Sequence, residues 1–163
     1  MSAFVSFLKQ RYLLVFSVFV AFVFLQSLFF KGAELIGEPA DITVYIFQTI
    51  GDWIAGLGLP ALGDAFGQYG GLVIGAAELV ASVLILRPQT RAYGAVLGLA
   101  VISGAIFFHV FTPLGLYPYT DLQCLVEGCP REYALFYMAL GVWFSCVAII
   151  YQSRKQLLAL LGR

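Results

Sequence analysis

Residues 70–86 have the sequence GGLVIGAAELVASVLIL, an apolar stretch whose one ionisable residue is Glu78. A helix of about 20 apolar residues is long enough to cross the hydrocarbon core of a bilayer. Three other stretches share this character, and the four predicted spans are residues 12–30, 70–86, 92–111 and 133–151. We therefore predict an all-α integral membrane protein, a four-helix bundle that forms a single transmembrane domain over residues 1–163.

The composition of the whole chain also indicates a lipid bilayer as its environment. The chain is 61% hydrophobic and 11% charged, and its mean hydropathy is +0.93. Soluble globular chains contain about 25% charged residues. Nine basic and nine acidic residues cancel, and no run of Lys or Arg is present. Nucleic acid is therefore excluded as a partner, and the apolar content excludes a disordered chain.

The basic residues indicate how the chain is oriented. With the N-terminus in the cytoplasm, the inner basic residues are Lys9, Arg11, Arg87, Arg91, Arg154, Lys155 and Arg163. Lys31 and Arg131 then lie outside, together with every acidic residue except Glu78. The positive-inside rule thus predicts that both termini are cytoplasmic.

Residues 12–30 are too long for a signal-peptide core and lack a small-residue cleavage site, so we expect them to remain as the first membrane helix.

The segment between the first two spans is predicted to contain a further helix. Apolar residues recur at helical spacing over residues 42–57, and Asp41 is the expected N-cap residue. This pattern predicts an amphipathic or re-entrant helix in the first outer loop, which either lies on the outer leaflet or caps the bundle. Its few cations argue against binding to anionic lipid and favour the capping arrangement. The second span is expected to start as early as Pro60, because proline suits the first position of a helix.

Two cysteines of the second outer loop, Cys124 and Cys129, have three interpretations that stay open. A structural disulfide is typical of cysteine pairs in an oxidising compartment. A redox-active pair would pass electrons to a lipid-soluble carrier, although the spacing is not the Cys-x-x-Cys of most dithiol catalysts. A metal site lacks the usual four ligands, so no metal is predicted. Cys146, in the fourth span, is expected to be a packing residue.

Small and polar residues form a stripe along each of the two central spans. The second-span stripe consists of Gly71, Gly75, Glu78 and Ser82. The third-span stripe consists of Gly94, Gly98, Val101, Ala105 and His109. Small residues allow helices to approach closely in a membrane. Two such stripes joined by a short turn predict a tightly packed antiparallel helix pair.

Glu78 and His109 are the candidate catalytic residues, with proton exchange as their expected role. An ionisable group in mid-membrane costs roughly 3 kcal/mol on insertion scales and is a functional candidate by default. The alternative for Glu78 is a protonated carboxyl that bonds a neighbour such as Ser103, which the helical rise puts at similar depth. His109 lies nearer the outer end of its helix. An imidazole titrates near neutral pH and suits proton exchange with a quinone, but a lone interfacial histidine is more often a hydrogen-bonded packing residue.

The same depth argument predicts a polar pocket beneath the amphipathic helix. Gln26 and Tyr137 are expected at the depth of His109. The predicted pocket residues are Gln26, Trp53, Ser103 and Tyr137. We expect this pocket to hold the head group of a quinone.

Part of the chain resembles the DoxX family of small four-helix membrane proteins. The resemblance rests on the run from Tyr69 to Leu86, on Arg87-Pro-Gln-Thr-Arg91, on Gly94-Ala and on Gly104-Ala-Ile-Phe-Phe-His109. It covers residues 60–115, and the four-span layout extends it over the chain. The resemblance implies that Glu78, Arg91 and His109 form the family's polar signature, with Arg87 and Arg91 in a short cytoplasmic turn. It also implies a link to thiosulfate and quinone redox chemistry or to membrane oxidoreductase complexes.

These observations lead us to expect a multi-pass protein of a bacterial inner (plasma) membrane that acts as a quinone- or thiol-linked redox component. The cofactor expected is a quinone. The alternative is a non-catalytic subunit or assembly factor whose outer helix docks a membrane or periplasmic partner protein. A lipid or small-solute transporter is a third interpretation, and four spans would then require oligomerisation. The sequence leaves the substrate, the electron donor and the oligomeric state open.

Overall fold

The computed structural model describes residues 2–32, 40–118 and 133–160, and these ranges contain five helices. The helices are α1 (Ser2–Gly32), α2 (Asp41–Gly56), α3 (Pro60–Leu86), α4 (Arg91–Phe111) and α5 (Ala134–Leu160). No β-strand occurs within the described ranges.

Four of these helices are long and apolar enough to cross a membrane. The candidate spans are Arg11–Gly32, Pro60–Leu86, Arg91–Phe111 and Ala134–Arg154. The predicted all-α bundle of four membrane helices with one additional helix is therefore confirmed. α3 begins at Pro60, as expected for a residue whose fixed φ and missing N–H suit the first turn.

The four long helices pack around a shared apolar core. α3 contacts α1 and α4, and α5 contacts the same two helices from the other side. A Cβ added to Gly98 of α4 would lie 3.1 Å from Phe24 Cε2 and 3.3 Å from Cys146 Sγ, so α1, α4 and α5 meet at this glycine. Cys146 is fully buried there, as expected for a packing residue.

The two small-residue stripes face inward, but they do not face each other along their whole length. α3 and α4 approach most closely at Gly94, where an added Cβ would collide with the backbone N of Ile85. The close antiparallel pair is therefore confirmed at this point. Gly75, in contrast, faces α1, since an added Cβ would lie 3.3 Å from Leu28 Cδ2. The stripe on α3 thus serves two neighbours, because a helix inside a bundle has more than one packing surface.

α2 packs on protein through its apolar face and caps one end of the bundle. Its buried residues are Thr43, Phe47, Ile50, Gly51 and Ile54. Most of this face lies against the first half of α3, and the two helix backbones approach closely, because a Cβ on Gly51 would lie 2.6 Å from Gly63 O. Ile50 and Ile54 also form a second small core with Leu114. The capping arrangement that the sequence favours is thus what the structure shows.

The turn between α3 and α4 caps the C-terminus of α3. The last four carbonyl groups of a helix have no partner within the helix. Thr90 donates its hydroxyl to Leu84 O at 2.8 Å, and Arg91 donates its Nε–H to Ile85 O at 3.3 Å. A cation in this position also interacts favourably with the negative end of the helix dipole. Arg91 therefore has a structural function in the turn, whereas Arg87 is exposed.

Replacing Thr90 by valine is expected to lower the free energy of unfolding by about 1 kcal/mol, the usual net value of one intramolecular hydrogen bond. Valine keeps the shape of threonine but cannot donate to Leu84 O. Chemical denaturation in mixed detergent micelles, followed by circular dichroism, measures the difference. Thr90→Ser keeps the donor and serves as the control. Equal stability of the valine variant and the unmutated protein would contradict this function of Thr90.

Candidate functional site

Glu78 lies on the buried face of α3 and forms an ion pair with Lys31 of α1. Lys31 Nζ donates to Glu78 Oε2 at 2.6 Å, and the Ser27 hydroxyl also lies 2.6 Å from this oxygen. Lys31 Nζ donates to Ser27 Oγ as well, at 3.2 Å. We call these three side chains, Ser27, Lys31 and Glu78, the ion-pair cluster. Its net charge is zero when the pair is ionised.

The last turn of α1 determines the geometry of the ion-pair cluster. Ser27 and Lys31 are four residues apart, so they lie one above the other on the same face of α1. The single hydroxyl proton of Ser27 has two acceptors within reach, Glu78 Oε2 and Phe24 O, the latter at 2.8 Å. A carboxylate is the stronger acceptor of the two because hydrogen bonds to ionised groups are shorter and stronger.

Ser103, the example given for the alternative interpretation of Glu78, is not its hydrogen-bond partner in the described structure. The side-chain partners of Glu78 come from α1, and Ser103 is not among the residues around the adjoining cavity. The helical rise gives similar depth but does not give the rotation of a side chain about its helix axis. Val101, Ala105 and Phe108 line the cavity, and Ser103 follows Val101 by about 200° of rotation, which puts it on the far side of α4.

A cavity of about 550 Å³ adjoins the ion-pair cluster and is lined by residues from all five helices. It lies at the end of the bundle where α1 ends at Gly32. Lys31, in the last turn of α1, lies beside Gly75 of α3. α3 starts at Pro60 and therefore extends about 22 Å farther in this direction. α2 fills part of the remaining space and covers the cavity with Ile46, Phe47 and Ile50.

The lining of this cavity is mainly apolar, with a few polar side chains. Among the described residues, the polar and titratable ones in the lining are Gln26, Ser27, Lys31, Thr43, Glu78 and His109. The apolar part includes Phe24, Phe30, Phe66 and Phe108, which give it aromatic walls. Glu78 and His109, the two predicted proton-exchanging residues, therefore line one cavity although no contact joins them in the described structure.

The His109 ring is held in place by the segment that follows α4. Its Nδ1 lies 2.7 Å from Gly115 O, and Gly115 has a φ of +73°, a conformation that favours glycine. Because a carbonyl oxygen only accepts, Nδ1 carries the proton of this hydrogen bond. Nε2 is then the nitrogen that accepts a proton or a hydrogen bond in the neutral ring. Phe136 of α5 contacts the ring edge-on at 6.0 Å between centroids.

Three of the four predicted pocket residues lie outside the cavity lining, and Gln26 is the one that lines it. Ser103 faces away, as described above. Trp53 packs edge-on against Phe107 and Phe108, with both centroid distances 6.3 Å. Tyr137 is 60% exposed on α5 and is hydrogen-bonded to Tyr117, which raises the pKa of Tyr117. The depth argument thus did not identify which of these side chains face the cavity.

Ser27 and Lys31 are the site residues that sequence reasoning missed. From the sequence, Lys31 is expected only to be one of two basic residues on the outer side. The spacing of a serine and a lysine by four residues at the end of an apolar span was the available signal, since it predicts a shared helix face. This spacing does not predict which other helix the shared face of α1 contacts.

The predicted disulfide between Cys124 and Cys129 lies outside the described residues. No group of three His, Cys, Asp or Glu side chains comes together in the ranges that the structure describes.

Comparison with known proteins gives a single result. No family model, curated protein or solved structure matches this chain. Membership of the DoxX family therefore stays a prediction, and the function is argued from the ion-pair cluster and the cavity.

Proposed function

We propose that this protein is a DoxX-like membrane component of a redox system and that it binds a lipophilic quinone in the cavity beneath α2. The observation that supports the proposal is the cavity of about 550 Å³. Its walls are mainly apolar, and the Lys31–Glu78 pair and His109 also line it. Ligand pockets typically enclose about 300–1,000 Å³, with apolar walls and a few placed polar groups. A lipophilic ring with polar oxygens fits that description.

Glu78 and His109 would exchange protons with the bound carrier. Reduction of a quinone to a quinol takes up two electrons and two protons. A carboxylate and an imidazole are the side chains that most often transfer protons in such steps. Both line the cavity, so both can reach a ligand inside it or a water beside that ligand.

A dithiol is the electron donor whose chemistry balances this reaction. Two thiols that close to a disulfide release two electrons and two protons, the number that a quinone requires. Cys124 and Cys129 are the candidate pair in this chain, and a protein dithiol of the same compartment is the other source. The quinone is reduced to quinol as the disulfide forms.

The proposed location is a bacterial inner membrane with both termini in the cytoplasm. The positive-inside rule supports this orientation. α2 and the cavity would then lie toward the periplasmic face, and Arg87 and Arg91 would lie at the cytoplasmic face.

The test is to purify the protein from membranes, extract bound lipids, and titrate it with a quinone that carries a ten-carbon chain. We expect bound or bindable quinone, with a measurable change of affinity in Glu78→Gln because this variant replaces the carboxylate of the ion pair by a neutral amide that can donate hydrogen bonds. Asp64→Asn, an exposed change on the same helix, is the matched control and should bind as the unmutated protein does. The proposal fails if no quinone is extracted, none binds, and Glu78→Gln has no effect.

The second candidate function is a non-catalytic subunit or assembly factor. An exposed apolar surface favours it, since Leu57 and Leu59 in the connection between α2 and α3 and Leu62 in the first turn of α3 are all more than half exposed. A partner protein that co-purifies in stoichiometric amount would support this function, provided that the variant Cys124→Ser/Cys129→Ser associates equally well.

A further inference from the structure

We infer that the ion-pair cluster binds a neutral hydroxyl group, of the kind that a phenol or a quinol carries. This inference deepens the proposed function and rests on it for the identity of the carrier. It concerns which form of the carrier the cavity prefers. The hydrogen-bonding capacity that Lys31 and Glu78 leave unused is the basis of the argument.

Lys31 has one hydrogen-bond donor to spare. A lysine ammonium group carries three N–H donors. In the part of the chain that the structure describes, Nζ donates to Glu78 Oε2 and to Ser27 Oγ. The third N–H has no acceptor among the described residues. The side chain keeps 14% of its surface exposed and lines the cavity, so a ligand can reach it.

Glu78 has an acceptor to spare. Both of its side-chain hydrogen bonds, from Ser27 and from Lys31, go to Oε2. Oε1 has no donor among the described residues. Every fully buried side-chain oxygen in these residues has a hydrogen-bond partner, so Oε1 is not fully buried. Glu78 retains 8% exposure of its side chain and also lines the cavity. One donor and one acceptor thus stand next to each other at the cavity wall.

Charge and hydrogen-bond complementarity select the chemical class of the ligand group. The ion pair is neutral as a whole and does not attract a charged ligand group. An anion in contact with both side chains would be repelled by the Glu78 carboxylate, and a cation would be repelled by the Lys31 ammonium group. A neutral group that both accepts from Lys31 and donates to Glu78 Oε1 is the complement, and a hydroxyl is the group of this kind that a reduced quinone carries. A quinone carbonyl or an ether oxygen accepts only, and it leaves Oε1 desolvated without a donor, which is costly.

The cavity therefore prefers the reduced carrier. We expect the quinol to bind about tenfold more tightly than the quinone, the usual effect of one hydrogen bond to a charged group. Tenfold tighter binding of the reduced form raises the two-electron potential of the bound carrier by about 30 mV. The protein would thereby make the bound quinone a stronger oxidant toward a dithiol.

The experiment compares four probes that carry the same ten-carbon chain, under anaerobic conditions and with the protein in zwitterionic lipid nanodiscs. The probes are the quinone, the hydroquinone, the dimethyl ether of the hydroquinone, and a simple phenol that cannot form a quinone. Calorimetry should show that the hydroquinone and the phenol bind about tenfold more tightly than the ether, and the hydroquinone about tenfold more tightly than the quinone. This comparison uses the unmutated protein and does not depend on the folding of a variant.

The variant Lys31→Met/Glu78→Met removes both charges and both hydrogen-bonding groups, and it should abolish the preference for the hydroxyl probes. Asp64→Asn, an exposed change on α3 outside the cavity lining, is the control that should keep it. Equal binding of hydroquinone and ether, or a preference that survives the double change, overturns the inference while quinone binding stands. Binding of the phenol without the quinone supports the hydroxyl site and overturns the redox proposal. Binding of none of the probes overturns both.

Discussion

Replacing Gly94 by alanine is expected to cost about 3 kcal/mol of stability, the upper end of the usual effect of overpacking a core. The added Cβ would collide with the backbone N of Ile85 and would lie 2.8 Å from Ala81 O and from Ile85 Cα. These obstacles are backbone atoms of α3, which cannot rotate away as the end of a side chain can. α3 and α4 would have to separate, and the shared core would loosen with them.

Gly104→Ala is the matched control for Gly94→Ala, because it makes the same change on the same helix at a position with nothing within 4 Å of the added Cβ. Alanine favours helix over glycine by roughly 0.5–1 kcal/mol, so this variant should be as stable as the unmutated protein or slightly more stable. Unfolding by SDS in mixed micelles, followed by the fluorescence of Trp53 and Trp143, measures both. Similar stability of the two variants would mean that α3 and α4 do not approach as closely as described.

Breaking the ion pair is expected to have an effect of similar or larger size. Lys31→Met leaves a carboxylate of mid-α3 buried without its cation, and loss of one partner of a buried pair costs about 3–5 kcal/mol. Glu78→Met should cost less, because Lys31 is in the last turn of α1 and can extend its ammonium group past the helix end to a polar region.

The double variant Lys31→Met/Glu78→Met tests whether the two residues act as a pair. The double variant leaves no buried charge without its partner, so we expect it to be more stable than Lys31→Met alone. The four proteins form a double-mutant cycle, and denaturation in mixed micelles gives the coupling energy between the two side chains. Additive effects of the two single changes would contradict the ion pair.

Much of the fold could be predicted because it depends on local properties of the chain. The length of each apolar stretch predicted a membrane span, and helical periodicity after Asp41 predicted α2. The stripe around Glu78 predicted an inward-facing carboxyl, and Glu78 is buried on that face of α3. Each of these inferences needs only residues that are close in sequence.

The candidate site was predicted less well because it combines helices that are distant in sequence. Depth placed Ser103 and Tyr137 near Glu78 and His109, but their side chains face away from the cavity. Ser27 and Lys31 are separated from Glu78 by 51 and 47 residues, and no local pattern connects them.

By itself, the sequence determined that this protein is a bundle of four membrane helices with a carboxyl group directed into the protein. The bilayer imposes that result, since an apolar stretch of sufficient length forms a helix there and a charged group avoids the lipid. Only the tertiary structure decided that Lys31 pairs with Glu78 and that a cavity lies beside them. Both depend on the rotation of α1 about its axis and on the level at which α1 ends relative to α3, and these are set by packing between helices.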